Sequence, residues 1–456
     1  MLNSSIKYDY GFMAADKVGK YGFKKAELLK LASQLKLFNQ KLKQEKDQPE
    51  LSFRKLPYDK KNLKQVLKLA KKLQGRFDNL VVVGIGGSDL GARAIYQALT
   101  GSFASFLPKK WRMMKIYFCG NTTDPQPLAD LLKVIDIRKT VFYVVSKSGE
   151  TVEPLSCFLF LRKKVIGKVG YKKHQEHFIV TTDLKDNALL EIAKKEGYKI
   201  LPHFPGSGRF SILSVNSLLP AACAGLDIRQ LLTGAKVMDR LSKSNNYQNN
   251  LPFLFAALQY LAYKNRKQNI SVIMPYAYSL RDFAFWARQH LGESLNKKYN
   301  LAKKIVNIGI SYIAALGPTD QHSQIQLYIE GPNNKIITFI KVARPFFDIK
   351  IPEYKNSEIA YLGGHKFSKI LNIEQRTTAV SLVKNKRPNG TIILPILDEY
   401  YLGQLFFFFE LATLYLGKLL QINVFDQPGV EQSKRYMYGL LGRKGYEKEK
   451  REILSL

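Results

Sequence analysis

Apolar residues in this chain form short β-branched runs separated by longer amphipathic stretches. Residues 63–101 contain, in order, a helical pattern, the apolar run NLVVVG, a glycine-rich turn and a second helical pattern. Three more apolar runs follow with helical stretches between them: KIYFCGN, TVFYVVS and HFIVTTD. This alternation predicts βαβ units, and therefore a parallel sheet that is covered by helices on both faces.

A second series of strand candidates follows after about residue 210. Its apolar runs are ISVIMPYA, NIGISYIAALG and KIITFIKVA. The chain therefore predicts two α/β halves that meet near residues 195–205. In front of them, the apolar stripe of KKAELLKLASQLKLFNQKLKQEK predicts helix. The predicted divisions are a helical segment at 1–55, α/β halves at 56–200 and 201–420, and a C-terminal segment at 421–456.

The most apolar stretch, YYLGQLFFFFELATLYLGKLLQI, lies near the C-terminus. Gln404, Glu410 and Lys418 interrupt it, which favours a buried core helix over a membrane span. The first residues, MLNSSIKYDYGFM, lack a basic start followed by an apolar core, so no signal peptide is predicted. We therefore expect no membrane association.

Length and composition narrow the class of protein further. A chain of 456 residues with 46% hydrophobic residues predicts one very large or two ordinary domains with a substantial core. The three cysteines, Cys119, Cys157 and Cys223, are widely spaced and show no metal-binding pattern. Their spacing fits a reducing compartment, so we expect a cytoplasmic protein.

The net charge is unusually positive. The chain has 71 Lys and Arg residues against 37 Asp and Glu residues, a balance of +34. Nucleic acid, an anionic surface or an anionic substrate would each fit such a charge. However, the basic residues are scattered along the whole chain, and no motif of the usual nucleic-acid-binding modules is present. We interpret the charge as a compositional bias and expect no dedicated nucleic-acid role.

The turn GIGGSDLG follows the first predicted strand of the first half. It fails the dinucleotide-binding pattern, because Asp89 stands where the third glycine is required. It also fails the nucleotide P-loop pattern, because Gly91 is followed by Ala92 and not by lysine. What remains is a strand, a glycine-rich turn that carries Ser88, and a helix.

A second turn of this kind, SKSGETVEP, follows the run TVFYVVS and precedes a helical pattern. Ser146, Ser148 and Thr151 would sit where free backbone N–H groups meet the positive end of a helix, which suits a phosphate. The alternative is an ordinary helix N-cap, where Ser and Thr are also favoured. Because both turns follow parallel strands, they would lie at the same edge of the sheet and share one phosphorylated ligand.

These two turns resemble the sugar-isomerase type of α/β domain. Four further motifs follow in the order typical of the glucose-6-phosphate isomerase family: GRFSILSVNSLLPAACAGLD, RQHLGESLNKK, LGPTDQHSQIQLYIEGP and DQPGVEQSK. The resemblance spans about residues 50–445. It implies two sugar-isomerase-type subdomains, each a mainly parallel sheet flanked by helices on both faces. It also implies an enzyme that interconverts glucose 6-phosphate and fructose 6-phosphate.

Such an isomerase has to open the sugar ring, remove a proton from C2 and return it to C1. The enediolate intermediate needs a nearby cation, which an arginine can supply, so no metal and no cofactor are expected. Proton transfer needs a carboxylate, while His and Lys are suitable for ring opening. By resemblance, Glu293 transfers the proton, Arg209 stabilises the enediolate, and His322 and Lys434 assist ring opening.

The resemblance also implies the substrate contacts and the assembly. It predicts a homodimer in which His322 of one subunit completes the active site of the other. The matching substrate-binding positions are Gly87, Ser88, Ser146, Lys147 through its backbone, Ser148, Thr151, Gln289 and Gln427. Gln289 stands four residues before Glu293, which places both on one helix face.

At three positions the chain departs from the usual motifs of the family. Ser207, Asn296 and Ser433 stand where the family usually has glycine. Asn tolerates a left-handed backbone and Ser is small, so these changes affect local backbone geometry more than the reaction.

Other functions are compatible with parts of the pattern. A regulator of the same fold that senses sugar phosphates would keep the two hydroxyl-rich turns, but it would not need Glu293, His322, Lys434 and Arg209 together. An isomerase that also accepts mannose 6-phosphate would share all of these residues. A fused transaldolase–isomerase does not fit, because 456 residues leave no room for a second enzyme.

Overall fold

A computed structural model describes residues 5–45, 47–108, 112–355 and 357–456. Within these ranges the chain folds into two five-stranded sheets and one short two-stranded ribbon, with helices packed around them. The strands are β1 (Lys7–Asp9), β2 (Asn79–Val83), β3 (Lys115–Cys119), β4 (Thr140–Val145), β5 (Phe178–Thr182), β6 (Lys199–Pro202), β7 (Ile270–Tyr276), β8 (Lys297–Tyr299), β9 (Ile305–Ile308), β10 (Ser311–Ala314), β11 (Lys335–Val342) and β12 (Asn389–Leu394).

Helices connect the strands and cover the sheets. They are α1 (Ala15–Val18), α2 (Lys25–Ala32), α3 (Leu35–Gln44), α4 (Lys60–Gln74), α5 (Leu90–Thr100), α6 (Pro125–Val134), α7 (Val152–Val169), α8 (Tyr171–His174), α9 (Ala188–Lys195), α10 (Val215–Cys223), α11 (Ile228–Leu241), α12 (Leu251–Arg266), α13 (Arg281–Leu295), α14 (Ile325–Glu330), α15 (Phe367–Lys384), α16 (Glu399–Leu420), α17 (Glu431–Leu440) and α18 (Glu447–Leu454).

The first sheet has the strand order β3-β2-β4-β5-β6, and all its strands are parallel. Alternate residues of β2 face opposite sides, so Leu80 and Val82 join one hydrophobic cluster while Val81 and Val83 join another. Both faces are therefore buried, which explains why the strand is apolar at every position after its first. The four strands that the β-branched runs predicted in this half are confirmed.

The second sheet has the order β1-β12-β11-β7-β10. Its strands are parallel except β1, which pairs antiparallel with β12 at the sheet edge. This confirms the predicted α/β architecture of two mainly parallel sheets flanked by helices. The predicted first α/β half ends at residue 200, whereas β6 continues to Pro202 in the first sheet. The N-terminal segment adds a strand to the second sheet as well as helices.

The helix α16 forms the centre of the protein. It packs against α11, α12 and α13, and its run of four phenylalanines, 406–409, is fully buried. By length and composition it resembles a membrane span, but 94% of its most apolar window is buried inside the protein. The sequence-based interpretation as a buried core helix is confirmed.

Candidate active site

The two hydroxyl-rich turns lie side by side at one edge of the first sheet. Their strands β2 and β4 are neighbours and parallel, with Val83 paired to Val144, so both chains leave the sheet at the same level. The turn after β2 continues as a short 3₁₀ helix, Gly86–Ser88, and the turn after β4 leads into α7. The edge therefore presents Ser88 next to the hydroxyls of residues 146–151.

The glycine turn after β2 is also in close contact with the segment that carries Arg209. A Cβ atom at Gly87 would lie 2.4 Å from the carbonyl oxygen of Gly208, so a side chain there would force the two segments apart. The Ser211 hydroxyl also donates to the Gly87 carbonyl at 3.2 Å. Gly87 therefore allows the backbone approach that brings Arg209 to the sheet edge.

The hydroxyls of the second turn bond to one another. Ser146 Oγ donates to Thr151 Oγ1 at 3.3 Å, and Ser148 Oγ lies 3.3 Å from the same oxygen. Thr151 occupies the N-cap position of α7, but its side chain accepts no hydrogen bond from the helix. Within the described residues, no group accepts from the backbone N–H of Ser148, Thr151 or Val152. The turn therefore offers N–H groups to a ligand, as the phosphate interpretation requires.

Tertiary contacts hold the shape of this turn. Gly149 has φ +64°, and a Cβ atom there would lie 1.7 Å from Asn187 Oδ1, so only glycine fits. The Lys147 side chain points away from the hydroxyls and donates to the Gly206 carbonyl at 2.8 Å. Burial lowers the pKa of Lys147, and nearby Lys185 and Arg209 lower it further while Asp183 acts in the opposite direction.

Arg209 is buried and held by several acceptors. Its Nε donates to Ser294 Oγ at 2.7 Å, and its Nη1 donates to Gln427 Oε1 at 2.7 Å. Its Nη2 donates to the carbonyl oxygens of Val424 and Asp426 at 2.7 and 3.0 Å. Burial lowers the pKa of the guanidinium, while the carboxylates of Glu293 and Asp426 raise it. The side chain thus joins the segment after β6 to α13 and to the loop after α16.

Glu293 lies on α13 and is only partly buried, with 28% of its side chain exposed. Its Oε1 is 3.8 Å from Arg209 Nη1, and its Oε2 accepts from Gln289 Nε2 at 3.3 Å. Gln289 in turn lies against the glycine turn, because a Cβ atom at Gly86 would be 2.7 Å from its Nε2. The structure therefore brings together Glu293, Gln289, Arg209 and Gln427 beside the glycine turn.

Lys297 belongs to the same cluster, although the sequence analysis did not single it out. Its Nζ donates to the carbonyl oxygens of Glu293 at 3.2 Å and Asp426 at 2.6 Å, and it lies 3.1 Å from Asp426 Oδ1. Burial lowers its pKa, which Asp426 partly offsets. The signal that could have revealed Lys297 is its position four residues after Glu293 within RQHLGESLNKK. Because lysines are frequent throughout this chain, that spacing alone does not distinguish it.

Two predicted catalytic residues lie apart from this cluster. His322 follows the 3₁₀ helix Thr319–Gln321 after β10 and is exposed. Lys434 lies on α17, where its Nζ pairs with Glu431 at 2.9 Å, and both side chains are exposed. Neither residue contacts Glu293 or Arg209 within the part of the chain that the structure describes.

Nevertheless, α17 and the segment after it contact the second hydroxyl-rich turn. Tyr438 donates to the Glu150 carbonyl at 3.4 Å, and Arg443 pairs with the Glu150 carboxylate at 2.9 Å. The helix that carries Lys434 therefore borders the candidate site.

The three departures from the family motifs require no left-handed backbone. Ser207 and Asn296 have φ values of −64° and −103°, and Ser433 lies inside α17. The Asn296 side chain accepts from Ile310 N at 2.7 Å and donates to the carbonyl oxygens of Ile310 and Gly292. Asn296 is thus accommodated by joining the end of α13 to β10, not by a left-handed conformation as we expected.

Comparisons with known proteins show which family this chain resembles. The family described as "Phosphoglucose isomerase" matches residues 69–443. A glucose-6-phosphate isomerase of Carboxydothermus hydrogenoformans is 40% identical over 420 residues, which covers 91% of this chain and 90% of that protein. A probable glucose-6-phosphate isomerase of Methanococcus maripaludis is 34% identical over 455 residues, covering 99% of this chain and 98% of that protein.

Solved structures share the fold over nearly the whole chain. A hypothetical protein from Thermus thermophilus superposes with a TM-score of 0.84 at 29% identity, covering 96% of this chain and 100% of that one. A glucose-6-phosphate isomerase from Chlamydia trachomatis superposes with a TM-score of 0.81 at 21% identity, covering 98% of this chain and 91% of that one. The family predicted from the six motifs is confirmed: this chain belongs to the phosphoglucose isomerase family.

Proposed function

We propose that this protein interconverts glucose 6-phosphate and fructose 6-phosphate, with Glu293 and Arg209 as the central catalytic pair. The observation that carries the proposal is the position of the Glu293 carboxylate, 3.8 Å from a buried guanidinium and beside two turns suited to a phosphate. A carboxylate can take the proton from C2 and return it to C1, which interconverts the aldose and the ketose.

The phosphate is assigned to the turn at residues 146–151. Its hydroxyls and its free backbone N–H groups lie at the N-terminus of α7, an 18-residue helix whose dipole favours an anion. Gly87 and Ser88 lie on the neighbouring turn of the same sheet edge, where they would contact the sugar. Gln289 stands between the glycine turn and Glu293, which suits a contact with a sugar hydroxyl.

Arg209 is assigned to the enediolate. A guanidinium has five N–H groups, and four hydrogen bonds to Ser294, Gln427 and the 424–426 backbone leave one N–H on Nη1. That nitrogen is the one nearest to Glu293. A buried, preorganised cation at this position stabilises negative charge that develops during proton transfer. Gln427 acts here by holding Arg209, and its remaining amide group is available to substrate.

His322 and Lys434 are assigned to ring opening, and this assignment requires assembly. We propose a homodimer in which His322 of one subunit completes the active site of the other. Strands β10 and β11 both run parallel to β7, so the segments after them leave the second sheet at one edge. One segment carries His322; the other, at 343–367, carries the exposed aromatic residues Phe346, Phe347, Tyr354, Tyr361 and Phe367.

An exposed apolar surface of this kind is typical of a protein–protein interface. The aromatic segment and the His322 segment leave the second sheet at the same edge. Burial of the aromatic segment by a second copy of the chain would therefore place His322 at the interface. Lys434 pairs only with the exposed Glu431 among the described residues, so a substrate phosphate or hydroxyl can compete for it. We further propose that the protein works in the cytoplasm, where its three buried cysteines would stay as the free thiols seen here.

A coupled assay tests the proposed function. Fructose 6-phosphate is supplied to the purified protein, and formation of glucose 6-phosphate is followed through a dehydrogenase that accepts only that product. We expect turnover of about 1–10³ s⁻¹, the ordinary range for enzymes. A parallel reaction with mannose 6-phosphate tests whether that sugar is also a substrate. Folded protein that does not turn over fructose 6-phosphate would contradict the proposal.

A further inference from the structure

A cavity of about 750 Å³ lies away from the proposed active site. Three elements form it: the helix α3, the 3₁₀ segment Pro49–Tyr58, and the end of α11 with the residues after it. None of its lining residues belongs to the site described above. Its volume is in the range of about 300–1,000 Å³ that is typical of small-molecule sites.

The helix α3 turns a polar and basic face toward this cavity. Lys36, Gln40 and Lys43 recur at helical spacing and line it, while Leu35 and Phe38 on the opposite face are buried in the core. Both lysines are exposed. The amphipathic pattern of α3 therefore places two cations on one wall of a concave surface.

The positive charge of the cavity is not balanced by the protein. Five cationic side chains and one carboxylate, that of Asp239, line it. Asp239 already accepts from Arg54 at 3.1 Å and from the Tyr58 hydroxyl at 2.9 Å, and it pairs with Lys243 at 2.8 Å. The negative charge of Asp239 is therefore already paired with Arg54 and Lys243, which also line the cavity.

The remaining cations have few partners. Lys55 pairs with Asp47 at 2.7 Å outside the cavity lining. Within the described residues, no carboxylate lies within 4.0 Å of Lys36 or Lys43. An anion that enters the cavity would therefore meet two unpaired ammonium groups, with further positive charge at Lys243 and Arg54 behind them.

We propose that this cavity is a second binding site, which takes a small metabolite with two or more phosphate groups. Lys36 and Lys43 would bind the phosphates, because an ammonium is a mobile point charge that suits a flexible polyphosphate. Tyr58, a residue that is 46% exposed, offers an aromatic ring against which a nucleoside base could stack. A nucleoside polyphosphate combines both features and is the ligand class we infer.

The 3₁₀ segment that lines the cavity also packs against the segment that carries Arg209. Phe53 precedes Arg54 on the same 3₁₀ segment, and its ring packs against Phe210 with centroids 4.8 Å apart. Phe210 follows Arg209 in the chain and also contacts Phe425 in the loop that accepts from Arg209. A ligand that shifts the 3₁₀ segment would thus act on the residues that hold the guanidinium.

Equilibrium binding by isothermal titration calorimetry tests this site, with inorganic tripolyphosphate and magnesium-free ATP as probes, because the two carry the same number of phosphates and only ATP carries a base. The test variant is Lys36→Gln/Lys43→Gln, and the matched control is Lys172→Gln/Lys173→Gln on the exposed face of α8. Each double variant removes two positive charges from the surface. Any probe that binds at the active site is affected equally in the two variants, so it does not contribute to the difference between them. We expect the test variant to weaken probe binding by roughly 10-fold and the control by less than about twofold.

Each result bears on the proposal. Tighter binding of ATP than of tripolyphosphate would support a contact between Tyr58 and the base, and equal or weaker binding would contradict the nucleoside part of the proposal. Equal losses in the two variants would overturn the proposal, because attraction would then come from the general surface charge. Absence of binding to the wild-type protein would also overturn it. Unchanged melting temperature and unchanged kcat verify that both variants are folded.

Discussion

Arg209 Nη1 lies 3.8 Å from Glu293 Oε1, although Arg209 belongs to a 3₁₀ helix after β6 and Glu293 belongs to α13. The guanidinium is 2% exposed and the carboxylate 28% exposed, so the pair spans the boundary between the core and the candidate site. A buried cation beside an accessible carboxylate suits a reaction in which the carboxylate moves a proton and the cation meets the charge that develops.

Replacement of the carboxylate tests proton transfer directly. Glu293→Gln keeps the shape and the hydrogen bond with Gln289 but removes the base, so kcat should fall by roughly 10²-fold or more. KM should change little, because the phosphate turn is intact. The measurement is steady-state kinetics in the coupled assay. Glu330→Gln, at the end of α14, is the control and should retain the wild-type kcat. Near-normal turnover by Glu293→Gln would contradict the assignment of Glu293 as the base.

The Arg209→Lys substitution tests whether the geometry of the cation matters as much as its charge. One ammonium cannot reach Ser294, Gln427 and the 424–426 backbone at once, because its three donors share a single nitrogen. We expect kcat to fall by roughly 10²-fold, the usual loss when one electrostatic contact to a transition state is removed. Arg281→Lys, at the exposed start of α13, is the control. Equal kcat values for the two variants would show that Arg209 only holds the fold.

The phosphate turn predicts a different kinetic signature. Ser148→Ala and Thr151→Ala each remove a hydroxyl that we assign to the phosphate, and a hydrogen bond to a charged group is worth about 1.5–3 kcal/mol. KM should therefore rise by roughly 10-fold or more in each variant, and inhibition by simple sugar phosphates should weaken in parallel. If melting temperature falls while KM and inhibitor binding stay constant, the hydroxyls serve only the helix terminus.

Subunit mixing tests the shared active site. Glu293→Gln and His322→Ala proteins should each be inactive, yet a hybrid dimer would contain one site with both residues intact. Random exchange makes about half of the dimers hybrid, so up to about a quarter of full activity should return. Moderate salt favours exchange, because like-charged subunits repel at low ionic strength.

Two results would contradict the shared site. A mixture that stays inactive after exchange has been verified by mass spectrometry would place His322 in its own subunit or outside the reaction. A wild-type protein that is monomeric at assay concentration and fully active would do the same.

Two buried histidines predict a loss of stability in mild acid. Burial lowers the pKa of His203 to about 4 and that of His290 to about 3, against 6.5 for an unperturbed histidine. The unfolded chain therefore binds protons between about pH 6.5 and 4 that the native protein does not bind, so the free energy of unfolding falls as the pH falls. Over pH 7 to 5 the two together should lower the free energy of unfolding by about 4 kcal/mol.

Chemical denaturation at a series of pH values measures this effect, with His203→Gln to isolate one histidine. The slope of unfolding free energy against pH should be smaller in that variant by about one proton. Asp89 acts in the opposite sense, because burial raises its pKa to about 6 and the native state then binds the proton. Since Asp89 is the same in both proteins, the difference in slope removes its contribution. Identical slopes would show that His203 does not titrate on unfolding.

Much of this architecture was predictable because the strands and helices are indicated by local patterns of apolar and polar residues. The β-branched runs predicted β2, β4 and β5 correctly, since strands that are buried on both faces must be largely apolar. Several short or edge strands were missed, among them β1, β6, β8 and β12. The strand β6, at residues 199–202, is short and lies at a sheet edge, and β12, at 389–394, begins with Asn-Gly-Thr, which is typical of a turn.

By itself, the sequence determined the family, the two hydroxyl-rich turns and the identity of the residues that match the family motifs. These features are local, because a turn or a motif consists of consecutive residues. Only the tertiary structure decided that the backbone of Gly208 closes on Gly87, that Lys297 and Asp426 join the site, and that the 424–427 segment holds Arg209. These contacts join residues up to 218 positions apart, and burial in the assembled core, not any local preference, makes each of them favourable.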